Sequence, residues 1–188
     1  MKQKVGLFFG SFNPIHKGHI AIADAFKIQA QLDQLWWVPS PQNPHKVQTE
    51  LAPFHDRLNM LKLALPTTNN IICDIEQHLS APSYTIHTLD VLTQKFPNNE
   101  WVLLLGADSW NSLPTWKDGS IIESQFSIFV YPRQDRNMLR TGHMTLLSGD
   151  FHNYSSTAIR NGIRSNTSAQ CDVIPAVAEY ITAHRLYL

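Results

Sequence analysis

The chain has 188 residues, 43% of them hydrophobic, and its 15 Lys and Arg residues balance 15 Asp and Glu residues. This composition predicts one globular domain over residues 1–188, and no linker or internal repeat divides it. A formal net charge of zero excludes a broad cationic surface, so we expect no nucleic-acid partner. The longest apolar run, at 101–105, is far shorter than the ~20 residues of a membrane helix, so no membrane association is expected.

The start of the chain and its two cysteines bear on the cellular compartment. A short polar segment precedes a very short apolar run, which does not have the form of a secretory signal. Cys73 and Cys171 lie far apart, and neither is near a second ligand in a compact metal-binding spacing. We therefore expect a soluble, cytoplasmic protein with reduced thiols.

Apolar segments of strand length alternate with amphipathic helical segments along the chain, as is typical of βαβ units. Strands are predicted at 5–9, 35–38, 71–75, 101–105, 126–131 and near 144–147. Helices are predicted at 17–30, at 53–65 with Pro53 in the first helical position, from a Ser83 cap to 96, at 155–163 and at 174–184.

The predicted strands are continuous apolar runs, which indicates a parallel sheet covered by helices on both faces. The predicted fold is therefore α/β, a single Rossmann-like domain with a doubly wound, mostly parallel sheet. In such a fold, ligands bind beyond the carboxyl ends of the strands. The polar segment 133–142 is predicted to be a loop.

The loop after the first predicted strand has the features of a phosphate site. Gly10 lets a ligand approach the backbone, and Gly18 keeps the following helix start open. His16 and His19 project from one side of this helix start, where imidazole and backbone donors would meet phosphate oxygens. Taken alone, the two histidines fit surface positions or helix caps better than a phosphate site, and their spacing is also compatible with a zinc pair.

The segment at 10–19, G-S-F-N-P-I-H-K-G-H, resembles the HxGH signature of the nucleotidyltransferase α/β-phosphodiesterase superfamily. Further matches follow in order: P-Q-N-P-H-K at 41–46, Arg57 with Met60, S-Y-T-I-H-T-L at 83–89, G-A-D-S-W at 106–110 with Trp116, and S-S-T-A-I-R at 155–160. Together they are similar to the family of bacterial nicotinate-nucleotide adenylyltransferases. The departures are Phe9, Asn13, His87 and Tyr154, which stand where that family often has Gly, Asp, Asp and an aliphatic residue.

The resemblance implies transfer of AMP from ATP to nicotinate mononucleotide, which forms deamido-NAD and pyrophosphate in NAD biosynthesis, with Mg²⁺ accompanying the ATP. It implies that the catalytic residues are His16, His19, Lys46 and Arg160. The residues implied to bind ATP are Gly10, Ser11, Phe12, His16, Gly18, His19, Gly106, Asp108, Arg133, Ser155, Ser156, Thr157 and Arg160.

The resemblance also implies an acceptor site in which Trp116 stacks on the pyridine ring and Thr85 helps to hold its carboxylate. The residues implied to bind nicotinate mononucleotide are Ser11, Lys46, Tyr84, Thr85, Trp110 and Trp116. No residues are assigned to a protein-held metal.

Each of these residues has a plainer interpretation from the sequence alone. Lys46 would be a solvated loop lysine, Asp108 a helix cap, and Trp116 a core or rim tryptophan. Ser155 or Ser156 would cap a helix, an interpretation that is compatible with phosphate binding if some helix-end N–H groups stay open.

The acceptor phosphate is already an anionic nucleophile, so the two histidines are assigned to charge stabilisation rather than proton abstraction. Three other functions stay open: a preference for nicotinamide mononucleotide, another acceptor such as pantetheine phosphate, and a non-catalytic nucleotide-binding sensor. The sequence predicts no oligomeric state.

Overall fold

The structure is a computed structural model that describes residues 2–41, 51–65, 68–80, 82–132, 140–149, 154–165 and 172–188. In this part of the chain a six-stranded sheet has the order β3-β2-β1-β4-β5-β6, and every neighbouring pair is parallel. The strands are β1 (Gln3–Gly10), β2 (Gln34–Pro39), β3 (Asn70–Ile72), β4 (Asn99–Gly106), β5 (Ser127–Tyr131) and β6 (Thr145–Leu146).

The helices of the described residues follow the strands in the alternation that the sequence predicts. They are α1 (Lys17–Gln29), α2 (Phe54–Ala64), α3 (Thr85–Lys95), α4 (Ala107–Ser112), α5 (Gly119–Gln125), α6 (Ser156–Arg164) and α7 (Pro175–Ala183). Two short 3-10 helices, Ile75–His78 and Leu113–Thr115, lie between them.

Successive residues of each central strand pack into two different cores. Phe8 of β1 joins the core formed with α1, α2, α6 and α7, whereas Val5 and Leu7 join the core formed with α3, α4 and α5. Because both faces of the sheet are covered in this way, the middle of each central strand is a continuous apolar run, and polar residues stand at the strand starts. The doubly wound α/β fold predicted from the continuous apolar runs is confirmed.

The boundaries of three predicted elements are wrong. The third strand ends at Ile72, and Ile75 belongs to the 3-10 helix that follows. Tyr84, not Ser83, occupies the N-cap position of α3, and no side chain caps this helix. Pro53 caps α2 rather than occupying its first turn.

The helices α4 and α5 were not predicted. They have six and seven residues, which is too short for an apolar periodicity to stand out. Gly119 begins α5 so close to the preceding 3-10 helix that a Cβ there would collide with the carbonyl oxygen of Leu113. This packing fixes the turn that carries Trp116.

Among the described residues, no helix is long and apolar enough to cross a bilayer. Cys73 is buried, whereas Cys171 lies outside the described residues, so the reduced thiols stay a prediction. The single domain over residues 1–188 and the cytoplasmic location stay predictions.

Candidate active site

A cavity of about 870 Å³ opens at the carboxyl ends of the central strands. Gly10 at the end of β1, Ser40 after β2 and Gly106 at the end of β4 form its floor. The strand order reverses its direction between β1 and β4, and this topological switch point is where parallel α/β folds bind ligands.

A buried arginine fixes the loops that frame this floor. The Arg57 side chain is 1% exposed, and its Nη1 donates to the carbonyl oxygens of Ser11 at 2.7 Å and Ser40 at 2.8 Å. Its other guanidinium nitrogens donate to the carbonyls of Pro41 and Ala52. Burial lowers the pKa of Arg57 to about 10, and the four carbonyls compensate part of the desolvation.

The two histidines of the first loop cap the start of α1 for each other. The Nδ1 atom of His16 accepts from the backbone N–H of His19, and the Nδ1 atom of His19 accepts from that of His16, both at 3.3 Å. An imidazole whose Nδ1 accepts a hydrogen bond carries its proton on Nε2. Both residues line the cavity, so the arrangement supplies two Nε2–H donors. The two histidines therefore act as helix caps and also belong to the cavity wall.

The histidine rings are held from both sides. They stack on each other with centroids 3.7 Å apart, the Phe12 ring lies 5.2 Å from His19, and Tyr154 lies 6.1 Å from His16. Gly18 makes room for this packing, because a Cβ there would come within 2.8 Å of the Tyr154 side chain. The unusual tyrosine at this position therefore packs beside the histidine pair.

The second predicted anion site, at the start of α6, is docked onto the first loop. Ser155 is the N-cap and accepts from the backbone of Ala158, as the capping interpretation predicts. Ser156 Oγ donates to the carbonyl of Pro14 at 3.1 Å. Arg160 is 6% exposed and donates to the carbonyl of Asn13 at 3.1 Å. The cavity-lining residues of this helix are Ser155, Ser156, Thr157 and Arg160.

Asn13 connects the first loop to distant parts of the chain. Its Oδ1 accepts from the backbone of Ala52 at 3.0 Å and from the hydroxyl of Tyr187 at 2.9 Å. Burial raises the pKa of Tyr187, so its hydroxyl keeps the proton that it donates. An amide oxygen at position 13 satisfies both donors, which explains how this departure from the family is accommodated.

The opposite end of the cavity is aromatic and positively charged. Tyr84, Thr85, Trp116 and Lys117 line it, and the Trp116 indole donates to Ser112 Oγ at 3.1 Å. Lys117 Nζ donates to His87 Nε2 at 2.9 Å and lies 5.2 Å from the centroid of the Tyr84 ring. Among the described residues, no side chain caps α3 and the first turn of this helix holds no carboxylate of its own.

Most of the predicted site residues that the structure describes converge on this one cavity. They are Gly10, Ser11, Phe12, His16, His19, Tyr84, Thr85, Gly106, Asp108, Trp116, Ser155, Ser156, Thr157 and Arg160. Lys46 and Arg133 lie outside the described residues.

Two predicted residues do not line the cavity. Trp110 is 0% exposed in the core, where its Nε1 donates to the carbonyl of Arg140 and the Arg140 guanidinium stacks on its ring. The predicted contact of Trp110 with the acceptor finds no support in the described cavity wall, because this face of α4 packs against the sheet. Gly18 is buried beneath Tyr154 and acts through packing.

A metal ion held by the protein alone does not fit the described residues. No three His, Cys, Asp or Glu side chains among them are grouped as metal ligands. Asp108 is the carboxylate that the described cavity wall contains. This wall is compatible with a magnesium ion that enters on a triphosphate, because such ions take few protein ligands.

The fold, with a cavity lined by imidazole and guanidinium donors at the carboxyl ends of the strands, is typical of nucleotidyltransferases. The comparisons with known proteins agree. A model of cytidylyltransferase-like proteins matches residues 7–162. The chain belongs to this family and, within it, to the nicotinate-nucleotide adenylyltransferases, since its full-length relatives carry that name.

One such relative is the "Probable nicotinate-nucleotide adenylyltransferase" of Cytophaga hutchinsonii, 37% identical over 98% of each chain. That of Flavobacterium johnsoniae is 38% identical over 98% of this chain and 99% of its own. The fold is similar to that of the Plasmodium falciparum nicotinic acid mononucleotide adenylyltransferase complexed with NaAD, with a TM-score of 0.83 and 19% identity. That match covers 98% of this chain and 97% of the other.

Proposed function

We propose that the chain transfers the adenylyl group of ATP to nicotinate mononucleotide and thereby forms deamido-NAD and pyrophosphate in NAD biosynthesis. One observation carries this proposal: a single cavity has imidazole and guanidinium donors at one end and an aromatic, cationic wall at the other. The phosphates of ATP and of the mononucleotide would bind at the donor end. The planar pyridine ring of the mononucleotide and its carboxylate would bind at the aromatic, cationic end.

The phosphate end can catalyse the transfer by positioning and charge. An oxygen of the acceptor phosphate attacks the α-phosphorus of ATP, the bond from that phosphorus to the bridging oxygen breaks, and pyrophosphate leaves with the bonding electrons. The acceptor is already an anion, so no general base is required. The Nε2–H groups of His16 and His19 and the guanidinium of Arg160 would stabilise the charge that develops on phosphate oxygens.

Two further groups belong to the proposal for this end of the cavity. Lys46, outside the described residues, would add a mobile positive charge. Magnesium bound to the triphosphate would neutralise charge on the phosphate oxygens. Asp108, the carboxylate of the described cavity wall, is the side chain that could bind this ion.

At the acceptor end, the half-buried Trp116 would stack on the electron-poor pyridine ring. The first turn of α3, which begins at Thr85, and the Lys117 ammonium would attract the nicotinate carboxylate. Nicotinamide mononucleotide carries a neutral amide at that position and would gain less from this positive charge. The wall therefore favours nicotinate over nicotinamide as the acceptor.

A coupled assay of pyrophosphate release tests the function directly. The chain is incubated with ATP and Mg²⁺ and with nicotinate mononucleotide, nicotinamide mononucleotide or pantetheine phosphate in separate reactions. We expect the highest kcat/KM with nicotinate mononucleotide. Preference for another acceptor would replace the substrate assignment, and ATP binding without pyrophosphate release from any acceptor would identify a sensor.

A further inference from the structure

Glu76 is a buried carboxylate directly behind the acceptor end of the cavity, and the transfer reaction described above gives it no role. It lies in the 3-10 helix Ile75–His78 and is 2% exposed. It does not line the cavity itself. Among the described residues, no ion pair with a cationic side chain compensates its charge.

Hydroxyl groups surround this carboxylate instead. Ser40 Oγ donates to Oε2 at 2.5 Å, and Thr88 Oγ1 donates to Oε1 at 2.9 Å. The Ser83 side chain lies next to the same carboxylate. The two donors come from the end of β2 and from α3, so the carboxylate joins these two elements behind the cavity wall.

An ionised carboxylate only accepts hydrogen bonds, which fixes the direction of each hydroxyl. The proton of each donor points at Glu76, and the oxygen keeps its lone pairs for other partners. Ser40 lines the cavity. Its hydroxyl oxygen is therefore a hydrogen-bond acceptor at this wall, in contrast to the donors that His16 and His19 supply at the phosphate end.

We propose that Glu76 is a positioning residue for the acceptor substrate: it accepts the hydroxyl hydrogen bond of Ser40 and keeps Ser40 Oγ as an acceptor for a ribose hydroxyl of the mononucleotide. Thr88 completes the arrangement by tying the first turns of α3 to the same carboxylate. This inference rests on the proposed function, because it requires a ribose at the acceptor end.

Glu76→Gln tests the inference with almost no change of side-chain volume. The glutamine amide group donates, so at least one surrounding hydroxyl must reverse and point its proton elsewhere. We expect the KM for nicotinate mononucleotide to rise about tenfold, the effect of losing a buried, charge-assisted hydrogen bond. The KM for ATP should change by less than about twofold, since the histidine end is untouched.

A second readout separates positioning from simple structural support. The wild-type protein should use 2′-deoxy or 3′-deoxy nicotinate mononucleotide less well than the complete nucleotide. In Glu76→Gln the ratio of kcat/KM for the complete and the deoxy acceptor should fall towards 1. The reason is that Ser40 Oγ is then no longer held as a hydrogen-bond acceptor facing the ribose. A purely structural role would lower activity with complete and deoxy acceptors alike.

Two control variants belong to the experiment. Leu92→Ala opens a cavity in the core beneath α3 and should lower the melting temperature without changing the discrimination against deoxy acceptors. Thr88→Val removes one hydroxyl donor at nearly constant shape and lies outside the cavity. It should change the discrimination in the same direction as Glu76→Gln, and it carries the test if the glutamine variant does not fold.

Unchanged discrimination in both Glu76→Gln and Thr88→Val would overturn the inference, as would equal rises in both KM values. In those cases an active wild-type protein would leave the proposed function intact. A wild-type protein that is inactive with every mononucleotide would overturn the function and this inference together.

Discussion

His16 and His19 are each the other's helix cap: the Nδ1 atom of each ring accepts the backbone N–H of the other residue at 3.3 Å. This reciprocal arrangement leaves the proton of each ring on Nε2. A helix cap and a pair of phosphate donors are thus made from the same two side chains. The stability of α1 and the binding of a nucleotide consequently depend on one structural unit.

His19→Ala should lower kcat about 10²–10³-fold with both substrates saturating, because it removes one preorganised donor to developing charge. The same change removes the hydrogen bond from the His16 backbone N–H to the His19 ring in the capping box of α1, at a cost of about 0.5–1.5 kcal/mol in stability. Steady-state turnover and thermal unfolding measure the two effects separately. His55→Ala, at an exposed histidine outside the cavity, is the matched control. Wild-type turnover in His19→Ala would contradict the assignment.

Trp116→Ala should raise the KM for nicotinate mononucleotide about tenfold and leave the KM for ATP nearly unchanged, because aromatic stacking is worth about 1–3 kcal/mol. Trp116→Phe keeps a stacking face and should restore most of the affinity. Initial rates with each substrate varied in turn provide the measurement. Equal losses for both substrates would place the indole elsewhere in the reaction.

Lys117→Met should reduce the preference for nicotinate over nicotinamide mononucleotide by about threefold, in line with a solvent-screened charge interaction. Most of the change should appear with the nicotinate substrate, since the amide carries no charge. The ratio of kcat/KM for the two substrates is the measurement, and Lys62→Met on exposed α2 surface is the control. An unaltered ratio would show that Lys117 does not contribute to the selection.

The stability of the protein should depend on pH through Glu76. Burial raises the pKa of this carboxyl above its ordinary value of 4.5, so Glu76 is protonated more easily in the folded than in the unfolded chain. Its contribution to stability is present below 4.5 and is lost as the pH rises through the higher folded-state pKa. The free energy of unfolding of wild type minus that of Glu76→Gln should therefore be larger at pH 5 than at pH 8. A pH-independent difference in denaturant titrations would contradict this.

The fold and part of the site were accessible from local sequence patterns. Continuous apolar runs predict the buried parallel strands, and the His16–His19 spacing places both rings at one helix start. The fold-dependent roles of Arg57 and Glu76 were not predicted, because their partners lie far away along the chain: Arg57 contacts the carbonyl of Ser11, and Glu76 contacts Ser40.

Other differences have equally local causes. Trp110 stands two residues after Asp108 in the same motif, but a short helix points these two side chains in different directions. Sequence alone does not show which of them faces the cavity. Lys117 next to Trp116 was overlooked because an isolated exposed lysine has no pattern of its own, and its contact with His87 exists only in the folded chain.

The hydrogen bond from the Tyr187 hydroxyl to Asn13 Oδ1 joins residues that are 174 positions apart. The loop that follows β1 therefore depends on a contact from the segment after α7, far away along the chain. Tyr187→Phe, which removes only the hydroxyl group, would leave the sheet and both histidines in place and would take one anchor away from the loop that carries them.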